Sequence, residues 1–310
     1  MNAAAPFFGD IAEGPEGGYA LWLMADDGVR LRAVHWPKDG ARGTVLLMPG
    51  RTEYCEKYGR TAAEFAARGL ATFAIDWRGQ GLADRLAEPA LLGHVEAFSD
   101  YQRDVRAMVA AAKAEGVAEP FFLLGHSMGG CIGLRALYEG IDVKAAAFSA
   151  PMWGIYLAPH MRPVAWGLSN LSSALGQGAR FAPGTKTETY VIADPFDDNM
   201  LTTDPDMWAY MVAQAEAKPE LTLAGPSLGW LAEALRETWA LHRMPSPKTR
   251  TITFLGTCER IVDVPRITDR MSRWSAGTLS MIEGAEHEVL MEKPVMRGKV
   301  LDEMVQFFFE

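Results

Sequence analysis

Phe121-Phe122-Leu123-Leu124-Gly125-His126-Ser127-Met128-Gly129-Gly130 decides how this chain is read. Four consecutive large apolar residues suit a strand buried on both faces, and a helical pattern, Met128 to Glu139, follows at once. Between them lies G-x-S-x-G in the context that gives it meaning: strand, sharp turn, helix. Such a turn forces the serine backbone into a strained conformation, so the residues two positions away must be small. The strain lifts the Ser127 hydroxyl above the strand end, and the helix N-terminus behind it favours developing negative charge.

Outward from this stretch the same alternation recurs. Short apolar runs at Thr44–Met48, Ala71–Ile75, Ala145–Phe148, Thr251–Leu255 and Leu279–Ile282 read as further buried parallel strands. Helical stretches at Glu56–Arg68, Asp100–Glu115 and Lys293–Phe308 separate or close them. Tyr19–Met24 and Val29–Trp36, joined by Asp27-Gly28, read as an N-terminal hairpin. The fold class is therefore α/β: a mostly parallel sheet flanked by helices. About a hundred residues between Phe148 and Thr251 show no strand, too long for a structureless loop. They predict an inserted helical cap over 151–248, between a first core part, 1–150, and a second, 249–310.

Composition narrows the function. The 310 residues carry a net charge of −9, which argues against nucleic acid as a partner because phosphate contacts need a basic patch. Three scattered cysteines suit neither a disulfide framework nor a zinc site, and no cofactor or metal is expected. Met1 to Gly18 lacks the pattern of a secretory signal, and no apolar run reaches membrane-spanning length. A cytoplasmic protein is the expectation.

A second match, Gly225-Pro226-Ser227-Leu228-Gly229, has no buried strand leading into it, so Ser227 reads as a helix N-cap. Ser127 is the candidate nucleophile. Of six histidines, His287 in Gly284-Ala285-Glu286-His287 follows the last strand, at the sheet edge where Ser127 emerges. The orienting acid should follow the strand Thr251–Leu255. Glu259 and Asp263 both qualify; Glu259, nearer the strand end, is favoured, while Asp263 before Pro265 suits a helix cap. The N–H groups of Arg51, in the turn after Met48, and of Met128 form the candidate oxyanion hole. Asp76-Trp77-Arg78-Gly79-Gln80-Gly81 reads as a loop-holding turn at the same edge.

Taken in order, Pro49-Gly50-Arg51, Asp76 to Gly81, Gly125 to Gly130, Ser149-Ala150-Pro151 and Gly284 to His287 resemble the monoacylglycerol-lipase and serine-aminopeptidase-like branch of α/β hydrolases. Within it the chain is most similar to bacterial inner-membrane-associated lysophospholipases, to which Arg51-Thr52-Glu53, Lys57-Tyr58 and Gly93-His94-Val95 also fit. Pro49 and Glu259 depart from the wider branch, which has His-Gly and Asp there. The resemblance implies a serine hydrolase of single-chain lipid esters, through an acyl-enzyme on Ser127. The alternatives are an aminopeptidase-like enzyme, with Asp194, Asp197 or Asp198 anchoring a substrate amine, and a generic short-chain carboxylesterase. A non-catalytic binding protein would need none of these residues.

Val143 to Thr187 contains no Asp or Glu but many apolar residues with Arg162 and Arg180. A cap helix packing on the core would explain this. So would a lid lining an acyl channel with Met152, Trp153, Tyr156 and Trp166 and making weak peripheral contact with the inner membrane.

Overall fold

The computed structural model describes residues 2–158 and 160–310. One sheet holds β1 (Ala4–Ala5), β2 (Tyr19–Met24), β3 (Arg30–Trp36), β4 (Thr44–Met48), β5 (Ala71–Asp76), β6 (Phe121–His126), β7 (Ala145–Ser149), β8 (Thr251–Gly256) and β9 (Gly277–Ile282). Their spatial order is β1-β2-β3-β5-β4-β6-β7-β8-β9. The first pairs, through β3 with β5, are antiparallel, and β5, β4, β6, β7, β8 and β9 run parallel.

Alternation along each strand splits the core into two layers. On β6, Phe121 and Leu123 enter one apolar cluster, and Phe122 and Leu124 enter the other. The first layer is covered by α3 (Tyr101–Ala114), α4 (Met128–Tyr138) and α9 (Val264–Ser272). The second is covered by α2 (Gly59–Ala67) and α10 (Pro294–Phe309), whose Phe308 stacks on Phe122 at 4.6 Å. Burying one such ring stabilises the fold by about 1.5–3 kcal/mol.

Between β7 and β8 the chain forms α5 (Met161–Ala174), α6 (Tyr190–Ala193), α7 (Pro205–Ala217) and α8 (Leu228–Arg243). α7 is fastened to the core through the N-terminal segment, which includes the single-turn α1 (Gly9–Ala12). Tyr210 donates to the Ala12 carbonyl (2.7 Å) and Gln214 to that of Ile11 (2.7 Å). α5 packs on α8 along one side and leaves another to solvent. Met161, Val164, Leu168 and Leu171, spaced three and four residues apart, share one face of it and stay exposed. No helix among the described residues is long and apolar enough to cross a membrane.

Strand register positions the site. Met48 lies beside Gly125, Ser149 beside His126, and Ile282 beside Gly256, so these strands end at one edge. Loops carrying Arg51, Ser127, Glu259 and His287 leave from that edge.

Candidate active site

Ser127 occupies the turn between β6 and α4 with φ +49°, a conformation that costs a non-glycine residue about 1–3 kcal/mol. The surroundings hold it there. Its N–H donates to the Ser149 carbonyl (3.0 Å), and its own carbonyl accepts from Gly130 (2.9 Å) and Met152 (2.8 Å). The need for small neighbours is steric: a Cβ on Gly129 would lie 1.9 Å from the Met48 carbonyl oxygen, and one on Gly125 2.7 Å from that of Gly129.

Glu259, three residues past β8, turns back on the chain. Its Oε1 accepts from the N–H groups of Ile261 (2.6 Å) and Val262 (3.0 Å), which leaves Oε2 to meet His287 Nδ1 at 2.6 Å. Both side chains are buried. Burial by itself would raise the Glu259 pKa, but the imidazole and the two N–H donors outweigh it and hold the carboxyl below its ordinary range. Burial would likewise lower His287; Glu259 and then Glu288 overcome it and leave the imidazole raised. Asp263 is placed differently: it caps α9 by accepting from Arg266 N–H (3.3 Å) and pairs with Arg162 of α5 (3.1 Å).

The loop after β4 is fixed on both sides of Arg51. Gly50 N–H is taken by Glu53 Oε2 and Thr52 N–H by Gln80 Oε1 (3.2 Å). Trp77 Nε1–H and Gln80 Nε2–H donate to the carbonyls of Pro49 and Gly50 (2.8 and 3.0 Å). The turn from Asp76 to Gly81 thus serves to hold this loop. Met128, as the first residue of α4, has no helical carbonyl one turn back for its N–H.

A cavity of about 270 Å³ opens at this edge. Ser127, His126, His287 and Arg51 line it together with Val191, Leu201, Met211 and Ala215 from the segment between β7 and β8. The His287 loop is also tied to the segment between α6 and α7, because His287 N–H donates to the Met200 carbonyl (3.3 Å) and Glu288 N–H to that of Leu201 (2.8 Å). His126 directs Nδ1 to the Ser149 carbonyl and hydroxyl (3.1 and 3.0 Å), and burial depresses its pKa to about 3.

Three charged lining residues had no assigned role from the sequence. Lys57 Nζ lies 2.5 Å from both Glu53 Oε1 and Glu288 Oε2. With His126, the two carboxylates bring ligand atoms within 4.8 Å of one another, as a metal site would require. The ammonium between the carboxylates already supplies the positive charge there. The i,i+4 spacing of Glu53 and Lys57 was a legible signal; the partnership with Glu288 was not.

The expected acyl-channel residues are placed elsewhere. Trp153, 2 % exposed, packs on Phe148 (5.2 Å) and Trp274 (6.0 Å) and donates Nε1–H to the Gly130 carbonyl (3.1 Å). Met152 is buried beside it, Tyr156 is 61 % exposed, and Trp166 sits half-buried on α5. None of the four lines the cavity. After β7 the chain turns into the core rather than over the site; a Cβ on Gly154 would lie 2.7 Å from Asp263 and Arg266 side-chain atoms. The cavity wall comes instead from α6, α7 and the segment between them. Ser227 is buried as the N-cap of α8, accepting from Trp230 N–H (2.9 Å) and 2.7 Å from His94 Nδ1, and is not among the cavity residues.

Comparison with known proteins agrees with this architecture. The sequence is 31% identical over 291 residues to lysophospholipase L2 of Escherichia coli strain K12, covering 90% of this chain and 83% of that one. Over 185 residues it is 30% identical to the monoacylglycerol lipase of Mycolicibacterium smegmatis, 59% of either chain. A crystal structure of a soluble variant of the Saccharomyces cerevisiae monoglyceride lipase, bound to a substrate analogue, superposes with a TM-score of 0.71 at 20% identity. That match spans 92% of this chain and 93% of the other. The family described as serine aminopeptidase, S33, matches residues 39–294, and the chain belongs to this family of α/β hydrolases.

Proposed function

We propose that this protein hydrolyses carboxylic esters of single-chain lipids, with Ser127 as nucleophile, His287 as general base and Glu259 as its orienting acid. The observation that carries the proposal is that Ser127 and His287 line the same cavity, with His287 Nδ1 held by Glu259 Oε2 at 2.6 Å. That bond fixes the proton on Nδ1 and presents Nε2 as the acceptor. Ser127 Oγ attacks the acyl carbonyl as Nε2 takes its proton. The N–H groups of Met128 and Arg51 stabilise the oxyanion. Collapse expels the glycerol oxygen, which receives the proton from His287, and leaves an acyl ester on Ser127. Water then repeats the sequence and releases the fatty acid.

Apolar side chains of Val191, Leu201 and Met211 favour an acyl chain by burial, at about 0.8 kcal/mol per CH₂. The names of the E. coli and M. smegmatis relatives support a lipid ester rather than a peptide. Against an amine-binding peptidase, Asp194 pairs with Lys186 (2.7 Å) and Asp198 with Arg260 (2.8 Å), and neither lines the cavity. The exposed apolar face of α5, in a stretch free of acidic residues, suits the surface of a bilayer. Hydrolysis of lysophosphatidylcholine, monoacylglycerol, p-nitrophenyl esters and aminoacyl-naphthylamides by the purified protein tests the reading. Turnover of the lipids is expected, and turnover of the amides alone would overturn it.

A further inference from the structure

The charges lining the cavity are unequally matched. Glu53 and Glu288 share the Lys57 ammonium at 2.5 Å each, and His287 has Glu259 at 2.6 Å. Arg51 is the exception. Its guanidinium, with five N–H donors, makes one hydrogen bond among the described residues, from Nη1 to the Ala224 carbonyl (2.9 Å). Its carbon lies 5.7 Å from the centre of the Trp230 ring. No carboxylate among the described residues lies within ion-pair distance of it, whereas buried Arg32 has both Glu56 (2.6 Å) and Asp76 (2.7 Å). A half-buried cation without an anion is costly, and its burial lowers Arg51 to about 10, which leaves it charged at neutral pH.

The position of this charge matters as much as its isolation. The residue whose N–H faces the ester carbonyl in the proposed reaction also carries, at its other end, the uncompensated guanidinium. An arginine side chain spans a distance like that between the acyl carbonyl and the phosphorus of a lysoglycerophospholipid. A guanidinium fork also matches phosphate oxygens in pairs. We propose that the Arg51 side chain is a phosphate-binding subsite that selects lysoglycerophospholipids over neutral monoacylglycerols. The inference rests on the lipid-ester reading and names its substrate class.

The experiment compares lysophosphatidylglycerol and 1-monoacylglycerol with the same acyl chain in wild type, Arg51→Met and Arg51→Lys. Hydrolysis of p-nitrophenyl butyrate is measured alongside, with glycerol 3-phosphate or inorganic phosphate as competitor. In Arg51→Met the ratio of kcat/KM for phospholipid to that for monoacylglycerol is expected to fall by about ten- to a hundredfold relative to wild type, as for loss of charge-assisted hydrogen bonds. Competition by glycerol 3-phosphate should disappear in the same variant. Arg51→Lys, which keeps the charge without the fork, should fall between. Equal losses on both lipids, with competition retained, would overturn the subsite and make Arg51 a fastener of the cap at Ala224. Equal competition by both anions with an unchanged lipid ratio would overturn it in favour of a free-phosphate site. A wild type that cleaves p-nitrophenyl butyrate but neither lipid would refute the lipid reading. The competition arm would still decide whether Arg51 binds an anion.

Discussion

Replacing Glu259 with glutamine separates the two acids that follow β8. The amide oxygen introduced by Glu259→Gln can still accept from Ile261 and Val262 N–H, so the loop has reason to keep its shape. The atom now 2.6 Å from His287 Nδ1 becomes an NH₂ donor. Nδ1 must then accept, the proton moves to Nε2, and in the proposed reaction Nε2 can no longer act as the base. Loss of the matching carboxylate in a serine hydrolase triad costs about 10⁴-fold in kcat, or ~5.4 kcal/mol at ~1.36 kcal/mol per decade. The pH profile adds a signed test. His287 must be neutral to act, and its pKa is raised chiefly by Glu259, so wild-type activity falls with acid through a raised pKa. Removing that charge lowers the pKa, and the acidic limb of the residual activity moves to lower pH. The assay is kcat/KM on p-nitrophenyl butyrate across pH, with thermal melting to exclude unfolding. Asp263→Asn is the control, and because Asn also caps helices it should cost little. A larger loss in Asp263→Asn at matched stability, or an acidic limb that moves upward in Glu259→Gln, would refute the assignment.

Other outcomes follow from the same geometry. Ser127→Ala should lower turnover by several orders of magnitude with the melting temperature retained, because the triad acts as a unit. Ser227→Ala should keep activity within about a few-fold while costing ~1 kcal/mol of stability through the lost N-cap, read by denaturant unfolding. Trp153→Ser should destabilise the protein by about 3–5 kcal/mol and lower activity on every chain length alike, since the ring belongs to the core. Met211→Trp, which narrows the cavity, should instead depress long acyl esters more than acetate esters. The double variant Leu168→Glu with Leu171→Glu should reduce co-sedimentation with anionic lipid vesicles and leave hydrolysis of soluble esters intact.

The parts of this fold that could be read from the chain are those whose signals are local. The Phe121–Leu124 run, the strand-turn-helix around Ser127 and the recurring short apolar stretches each depend on residues within one element, and the strands lie where those runs fall. Nearness to the strand end put Glu259 ahead of Asp263, and the fold sets Glu259 against His287 at 2.6 Å. The cavity wall was not legible in this way. Val191, Leu201 and Met211 converge only after α6, α7 and the segment between them have folded, and no periodicity distinguishes them from residues that pack against each other. Trp153 misled for a related reason. Its place in the acid-free, apolar stretch Val143 to Thr187 suggested a lid, yet the sharp turn through Pro151 and the close approach at Gly154 direct it into the core. The two-residue strand β1 has no sequence signal because backbone pairing with β2, not side-chain pattern, defines it.

The claim that Ser127 carries an acyl group during lipid ester cleavage is open to direct observation. Purified protein is mixed with a lysophosphatidylcholine of known acyl chain, quenched in acid during turnover, digested and read by mass spectrometry. The peptide containing Gly125 to Gly130 should gain the mass of one acyl group, mapped to Ser127, and the gain should be absent from Ser127→Ala. An acyl group on Ser227, or undiminished lipid hydrolysis by Ser127→Ala, would contradict the account.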